Sequence, residues 1–167
     1  LMKKLQMVDL KSQYEYIKEE INAGIQEVLD TTAYINGPQV HEFQKSLENY
    51  LGAKHVIPCA NGTDALQIAM MGLGLKAGDE VITADFTFAA TVEVVALLGI
   101  TPVLVDVDED NMNISIEAIK KAITPKTKAI VPVHLFGRAA NMDAIMEVAT
   151  VHNLFVIEDN AQAIGSN

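Results

Sequence analysis

The stretch of sequence that decides the fold is Leu154-Phe155-Val156-Ile157-Glu158-Asp159-Asn160-Ala161-Gln162-Ala163-Ile164-Gly165. Its four leading apolar residues predict a strand buried on both faces, as in a parallel sheet. Ligands of such sheets bind beyond the carboxyl ends of the strands, which is where Asp159 stands. Gln162 follows three residues later and can face the same site. The alternative is that Asp159 is an ordinary helix N-cap or turn residue.

Composition limits the functions that this chain can perform. Its 167 residues carry 22 acids and 12 bases, for a net charge of −10, and Arg138 is the single arginine. A chain this acidic is a poor candidate for binding nucleic acid through its phosphates. Any anionic ligand would depend on backbone N–H groups and helix N-termini.

Compartment and membrane association can also be predicted from composition. Cys59 is the only cysteine, so no intrachain disulfide can form, which favours a reducing compartment. No apolar run approaches the ~20 residues of a membrane span, and no signal peptide is visible. We expect a cytoplasmic protein.

Periodicity divides the chain into two regions. Residues 1–52 form a predicted helical segment, with a long amphipathic helix over 9–30 capped by Asp9 and a second helix from Pro38 to Gly52. Over residues 53–167, short apolar runs alternate with helical patterns. The predicted strands are 55–58, 80–83, 102–105, 129–133 and 154–157, and the predicted helices are 63–73, 87–98, 115–122 and 142–152. This alternation predicts an α/β fold with a mostly parallel sheet covered by helices on both faces.

Two types of chemical group, besides the Asp159 carboxylate, fall at the predicted strand ends. Gly62 and Thr63 open a helix after a strand, which suits a phosphate, although an ordinary capped turn is an alternative. Phe86 or Phe88 could lie flat over a ring, or could belong to the core. Neither the Walker motif nor GxGxxG is present, and the histidines, Cys59 and the acids show no metal-ligand spacing. For His134, a structural hydrogen bond is a better interpretation than contact with a substrate.

A phosphate-binding turn at Gly62 and Thr63, an aromatic ring from Phe86 or Phe88, and the Asp159 carboxylate together suit a phosphorylated pyridine. In pyridoxal 5′-phosphate (PLP) chemistry the cofactor is the electron sink, and an acid at the pyridinium nitrogen tunes it. A carboxylate beside that nitrogen raises the nitrogen's pKa and keeps it protonated. This role would explain an acid at the end of a buried strand.

The sequence resembles the DegT/StrS-type sugar aminotransferases, which have the type I (aspartate aminotransferase) PLP fold. The resemblance runs in order along nearly the whole chain and is carried by these motifs: Met7-Val8-Asp9-Leu10 with Gln13-Tyr14, Ile35-Asn36-Gly37-Pro38, Asn61-Gly62-Thr63-Asp64-Ala65-Leu66, Phe86-Thr87-Phe88, Pro132-Val133-His134-Leu135-Phe136-Gly137 and Glu158-Asp159 with Ala161-Gln162-Ala163.

The resemblance implies a role for each of five residues. Gly62 and Thr63 would bind the cofactor phosphate, and Phe88 would stack on the pyridine ring. Asp159 would pair with the pyridine nitrogen, and Gln162 would lie near the ring's hydroxyl side. The family is typically homodimeric, with active sites at the subunit interface.

The chain departs from the family pattern in three ways. Ile164 stands where the family often has histidine, and Asn160 where it usually has a small residue. The family's Schiff-base lysine would come after this chain stops, and none of the eleven lysines here stands in a matching context. We therefore expect 1–52 to be an N-terminal helical segment and 53–167 the N-terminal part of a PLP-binding large domain, with no catalytic residue in this chain and the small C-terminal domain absent.

The function that the resemblance implies is transfer of an amino group, from glutamate as the expected donor, to a nucleotide-linked keto sugar. One alternative is a PLP-dependent sugar dehydratase of the same fold, in which a histidine replaces the lysine. The other is a non-catalytic binding or regulatory module.

Overall fold

The computed structural model describes residues 8–166, which divide by their contacts into two compact units at Pro58/Cys59. The domain boundary expected after residue 52 lies near this division. The assignment of 53–167 to a cofactor-binding domain stays a prediction. None of the described helices is both long enough and apolar enough to cross a membrane.

The first unit contains two helices, as predicted. Helix α1 spans Leu10–Thr31, and the Asp9 carboxylate caps it by accepting the backbone N–H of Ser12 at 3.0 Å. Helix α2 spans Pro38–Leu51, with Pro38 in its first turn, where a missing N–H costs nothing. It ends at Gly52, whose φ of 63° lies in the left-handed region that glycine adopts without strain.

The second unit is a parallel α/β sheet of four described strands in the order β2-β1-β3-β4. The strands are β1 (Glu80–Ala84), β2 (Thr101–Val105), β3 (Thr127–Val131) and β4 (Phe155–Val156). The helices are α3 (Gly62–Gly72), α4 (Ala89–Leu97), α5 (Ile116–Ala122) and α6 (Met142–His152), with a short 3-10 turn at Leu135–Gly137. Because the strands are parallel, their carboxyl ends share one edge.

Successive side chains of a strand point to opposite faces of the sheet, so a hydrophobic core forms on each face. The sheet and the helices on its two faces make three layers. Val81 of β1 packs with α3 and α4 on one face of the sheet, whereas Ile82 packs with α5 and α6 on the other. In β3, Val131 and Ile130 divide between the same two faces and are fully buried. The predicted three-layer α/β/α architecture is confirmed.

Two strand predictions need correction. Residues 55–58 form no strand, because Pro58 lacks the N–H that a ladder requires and Ile57 stays 76% exposed. The strand predicted over 154–157 shortens to Phe155–Val156. Its side chains are not all buried, because β4 is an edge strand with β3 as its one described neighbour, and Phe155 remains 47% exposed.

Candidate functional site

The backbone of Asp159 is fixed by the strand-end turn beside it. Its N–H donates to the carbonyl of Pro132 at 2.9 Å, and its carbonyl accepts the N–H of His134 at 3.1 Å. These two bonds continue the parallel pairing of β3 and β4 beyond the strands, through a bridge between Val133 and Asp159. The carboxylate therefore stands at the carboxyl edge of the sheet on a well-supported backbone, as the sequence predicted.

The Asp159 side chain is held by two donors. The hydroxyl of Thr91 donates to Oδ2 at 2.7 Å, and the N–H of Ala161 reaches Oδ1 at 3.3 Å. The bond from the Ala161 N–H is typical of a turn, so the alternative that Asp159 is a turn residue is correct in part. No helix follows it before the end of the described residues. Sequence reasoning missed Thr91, for which the available signal was a hydroxyl at a core position of a helix.

All five residues predicted for the site line one cavity of about 240 Å³. The strand ends and helix starts bring them together from distant parts of the chain. The full lining is Gly62, Thr63, Leu66, Phe88, Ala90, Val133, Asp159, Ala161 and Gln162. Asp159 carries the one formal charge in this set, and no Lys or Arg belongs to it. An anion in this cavity would rely on backbone N–H groups.

The start of helix α3 supplies such groups. Asn61 caps the helix by accepting the N–H of Asp64 at 2.9 Å. The N–H groups of Gly62 and Thr63 have no acceptor among the described residues, as expected in a first helical turn. A Cβ built at Gly62 would meet nothing within 4 Å, and its backbone is helical. Neither packing nor conformation requires glycine here, so its smallness leaves free space beside the N–H groups.

The two candidate aromatic residues occupy different environments. Phe88 is the N-cap residue of α4, is 71% exposed and lines the cavity. Phe86 contacts the ring of Phe136 edge to face, with centroids 6.3 Å apart and planes inclined by 67°. An exposed phenyl ring at a cavity wall is available to a flat ligand, which supports Phe88 over Phe86.

Gln162 is connected to the neighbouring strand-end loop. Its Oε1 accepts the N–H of Phe136 at 2.8 Å, and Phe136 has a left-handed backbone with φ 56°. With Oε1 engaged, the amide NH₂ is the remaining donor of this side chain. A donor at this wall suits an oxygen on a bound ring.

A family model described as the DegT/DnrJ/EryC1/StrS aminotransferase family matches residues 15–167. The chain belongs to this family. The resemblance inferred from the sequence motifs is therefore confirmed, and the α/β fold is that of the family's solved members.

Among curated relatives of this family, the chain is 51% identical over 163 residues to the UDP-2-acetamido-2-deoxy-3-oxo-D-glucuronate aminotransferase of Pseudomonas aeruginosa. The alignment covers 98% of this chain and 45% of that protein. The chain thus spans less than half the length of this relative.

The chain is also similar to two solved structures. DesV of S. venezuelae, crystallised with a ketimine intermediate, superposes with a TM-score of 0.95 at 41% identity, covering 98% of this chain and 44% of that one. The protein ntda of Bacillus subtilis, solved with bound cofactor PMP, gives a TM-score of 0.86 at 41% identity, covering 88% and 34%.

Proposed function

We propose that the protein containing this chain is a PLP-dependent aminotransferase that transfers an amino group from glutamate to a nucleotide-linked keto sugar. The observation that carries the proposal is the single cavity lined by Gly62, Thr63, Phe88, Asp159 and Gln162. The similarity to an aminotransferase of a UDP-linked oxo sugar supports the substrate class, and the PMP-bound structure supports the cofactor.

The phosphate of the cofactor would lie at the start of α3. Gly62 and Thr63 offer two backbone N–H groups, and the helix dipole favours an anion there. The free space beside Gly62 lets a phosphate oxygen approach the backbone closely. The Thr63 hydroxyl adds a further donor. No positively charged side chain lines the cavity, so these N–H groups are the source of attraction.

The ring of the cofactor would lie between Phe88 and the sheet edge. Phe88 would set the plane of the ring, and the amide NH₂ of Gln162 would donate to the ring hydroxyl. Asp159 would hold the proton on the pyridine nitrogen. When bound, the cofactor supplies the electron sink that stabilises negative charge at the substrate carbon, and that capacity depends on the ring proton that Asp159 retains.

A second group is needed to move the proton between substrate and cofactor. The family resemblance assigns it to a lysine, and none of the lysines here has that context. We propose that it belongs to a part of the protein outside this chain. Residues 53–167 would then be the portion of the large domain that holds the phosphate, the ring face and the ring nitrogen.

We also propose that the protein is a cytoplasmic homodimer. The single cysteine supports the compartment. Support for the dimer comes from α1 and α2, which bury none of their residues and form an apolar groove of about 970 Å³. The exposed residues of this groove include Ile21, Ile25, Leu29, Tyr34 and Phe43. Light scattering on the full-length protein would give the mass of the assembly.

The decisive experiment compares Asp159→Asn with Asp143→Asn in the full-length protein. Asp143 lies exposed in the first turn of α6 and is a matched carboxylate outside the cavity. With glutamate and a UDP-linked 3-keto sugar, we expect D159N to lose roughly 100-fold or more of the amination rate, and D143N to match the wild type. An unchanged rate in D159N would contradict the assigned role. Dehydration of the sugar without nitrogen transfer would identify the dehydratase instead.

A further inference from the structure

The hydrogen bond from Thr91 to Asp159 has a consequence for the site. Thr91 lies in the first turn of α4, is fully buried, and donates its hydroxyl hydrogen to Asp159 Oδ2 at 2.7 Å. We propose that Thr91 is a positioning residue, which orients the Asp159 carboxylate toward the nitrogen of a bound heteroaromatic ring. This inference rests on the function proposed above.

The direction of the hydrogen bonds follows from counting hydrogens. A hydroxyl has one hydrogen, and an ionised carboxylate can only accept, so the Thr91 hydrogen is committed to Asp159. The hydroxyl of Thr87 lies 3.4 Å from that of Thr91, which is longer than an ordinary O–H···O bond, and in this weak contact Thr87 is the side chain with a hydrogen to offer. The strong bond of this series is the one from Thr91 to the Asp159 carboxylate.

The bond from Thr91 leaves the two oxygens of the Asp159 carboxylate unequal. Oδ2 is engaged by the short bond from Thr91, whereas the one bond to Oδ1 from the described residues is the 3.3 Å contact from Ala161. A bond of 2.7 Å from a fully buried donor restricts rotation of the carboxylate about its Cβ–Cγ bond. Oδ1 is then the oxygen with capacity for a strong bond from a ring N–H.

The same helix start also supports the aromatic wall. The backbone N–H of Thr91 donates to the carbonyl of Phe88 at 3.2 Å, and Phe88 lines the cavity that Asp159 lines. One short segment therefore sets both the ring that would cover the ligand and the carboxylate that would meet its nitrogen. A shift of this segment would misplace both groups together.

Thr83 provides a matched control. It is fully buried like Thr91, and its hydroxyl also donates one hydrogen bond, to the carbonyl of Val131 at 2.8 Å. Replacing either threonine by valine removes one buried donor from a similar environment. The difference is that the Thr83 hydroxyl does not bond to Asp159, so effects shared by the two variants report packing alone.

The experiment uses the full-length protein reconstituted with PLP labelled with ¹⁵N at the ring nitrogen. The ¹⁵N resonance distinguishes a protonated from a neutral pyridine. We expect Thr91→Val to move the resonance toward the neutral form and to weaken cofactor binding by about tenfold, because the variant loses a hydrogen bond to a charged group. Thr91→Ser should keep the wild-type resonance. Thr83→Val should also keep it, while its Tm should fall about as much as that of Thr91→Val.

Identical resonances in T91V and T83V would overturn the positioning role and leave Thr91 as a core hydroxyl. If T91V does not fold, Thr91→Ala against Thr91→Ser makes the same comparison. Failure of the proposed function would look different, because the wild type itself would then bind no PLP, or Asp159→Asn would leave the ¹⁵N resonance in place.

Discussion

The buried imidazole of His134 accepts a hydrogen bond from the backbone N–H of Ala140, with 3.0 Å between Nδ1 and the amide nitrogen. Because an N–H can only donate, Nδ1 carries no hydrogen, and the ring hydrogen of the neutral imidazole must be on Nε2. Nε2 lies 2.9 Å from Oε2 of Glu158 and donates to it. His134 therefore connects the loop after β3 to the residue before Asp159, as a structural histidine with a defined tautomer.

The two bonds of His134 differ in importance, which amide variants can test. Ala140 is 5% exposed, so its N–H is shielded from solvent by burial, whereas the Glu158 side chain is 54% exposed. In His134→Asn the amide oxygen can take the place of Nδ1, and in His134→Gln the amide can take that of Nε2. We expect H134Q to lose ~1–3 kcal/mol of unfolding free energy, the cost of an unpaired buried donor, and H134N to lose less.

Chemical denaturation of the full-length variants measures this order. His152→Asn, at the exposed end of α6, serves as the control and should stay within about 0.5 kcal/mol of the wild type. If H134N proved the less stable of the two, the bond to Glu158 would be the more important one.

Gly62→Ala should separate ligand binding from stability. The added methyl group meets no protein atom and the backbone is helical, so we expect no loss of unfolding free energy. The methyl group would occupy the free space beside the N–H groups, and the dissociation constant for PLP should rise about tenfold.

Gly72→Ala at the other end of α3 is the control for Gly62→Ala. It also meets nothing within 4 Å, and it should stabilise the helix by up to ~1 kcal/mol without changing PLP affinity. Equal affinity of G62A and wild type would place the phosphate elsewhere.

Phe88→Ala should lower PLP affinity, whereas Phe86→Ala should lower stability. Phe88 is 71% exposed, so its removal should change stability by no more than about 0.5 kcal/mol. Loss of a stacked ring should weaken PLP binding two- to tenfold, from ~0.5–1.5 kcal/mol per aromatic pair. Phe86→Ala loses the contact with Phe136 and should cost stability instead. Fluorescence titration and thermal melts of both variants measure the two effects, and reduced PLP affinity in F86A alone would reverse the assignment.

The N-terminus of α1 should respond to acid. The Ser12 hydroxyl, followed by the Ser12 backbone N–H, lowers the pKa of Asp9 below its usual 3.8. A carboxyl whose pKa is lower when folded stabilises the folded state above its unfolded pKa, and this contribution disappears as pH falls through the folded value. The protection of the Ser12 amide against hydrogen exchange, taken relative to its intrinsic rate at each pH, should therefore fall below about pH 4. Asp9→Asn retains an acceptor without titrating, so the same fall in protection in that variant would assign the effect to other groups.

Helix and strand identities were largely readable from the sequence. The period of apolar residues located α6 at Met142–His152 and β1 from Glu80, and Asp9 and Gly52 marked helix ends because caps depend on local backbone chemistry. The strand predicted over 55–58 was wrong, because an apolar run shows only that a segment is able to join a sheet. A strand forms only where another segment lies beside it. Phe155 stayed exposed for a related reason, since burial of a strand face depends on what packs against it.

The sequence by itself determined which residues reach the carboxyl edge of the sheet, because strand ends in a parallel sheet share one edge. Motif order also indicated the family. Only the tertiary structure decided what each residue contacts there. Thr91 and Asp159 are 68 positions apart, and their bond depends on how α4 packs against the sheet beside β3 and β4. Periodicity reports a residue's face, whereas the partner of a side chain is set by packing between elements that are distant in sequence.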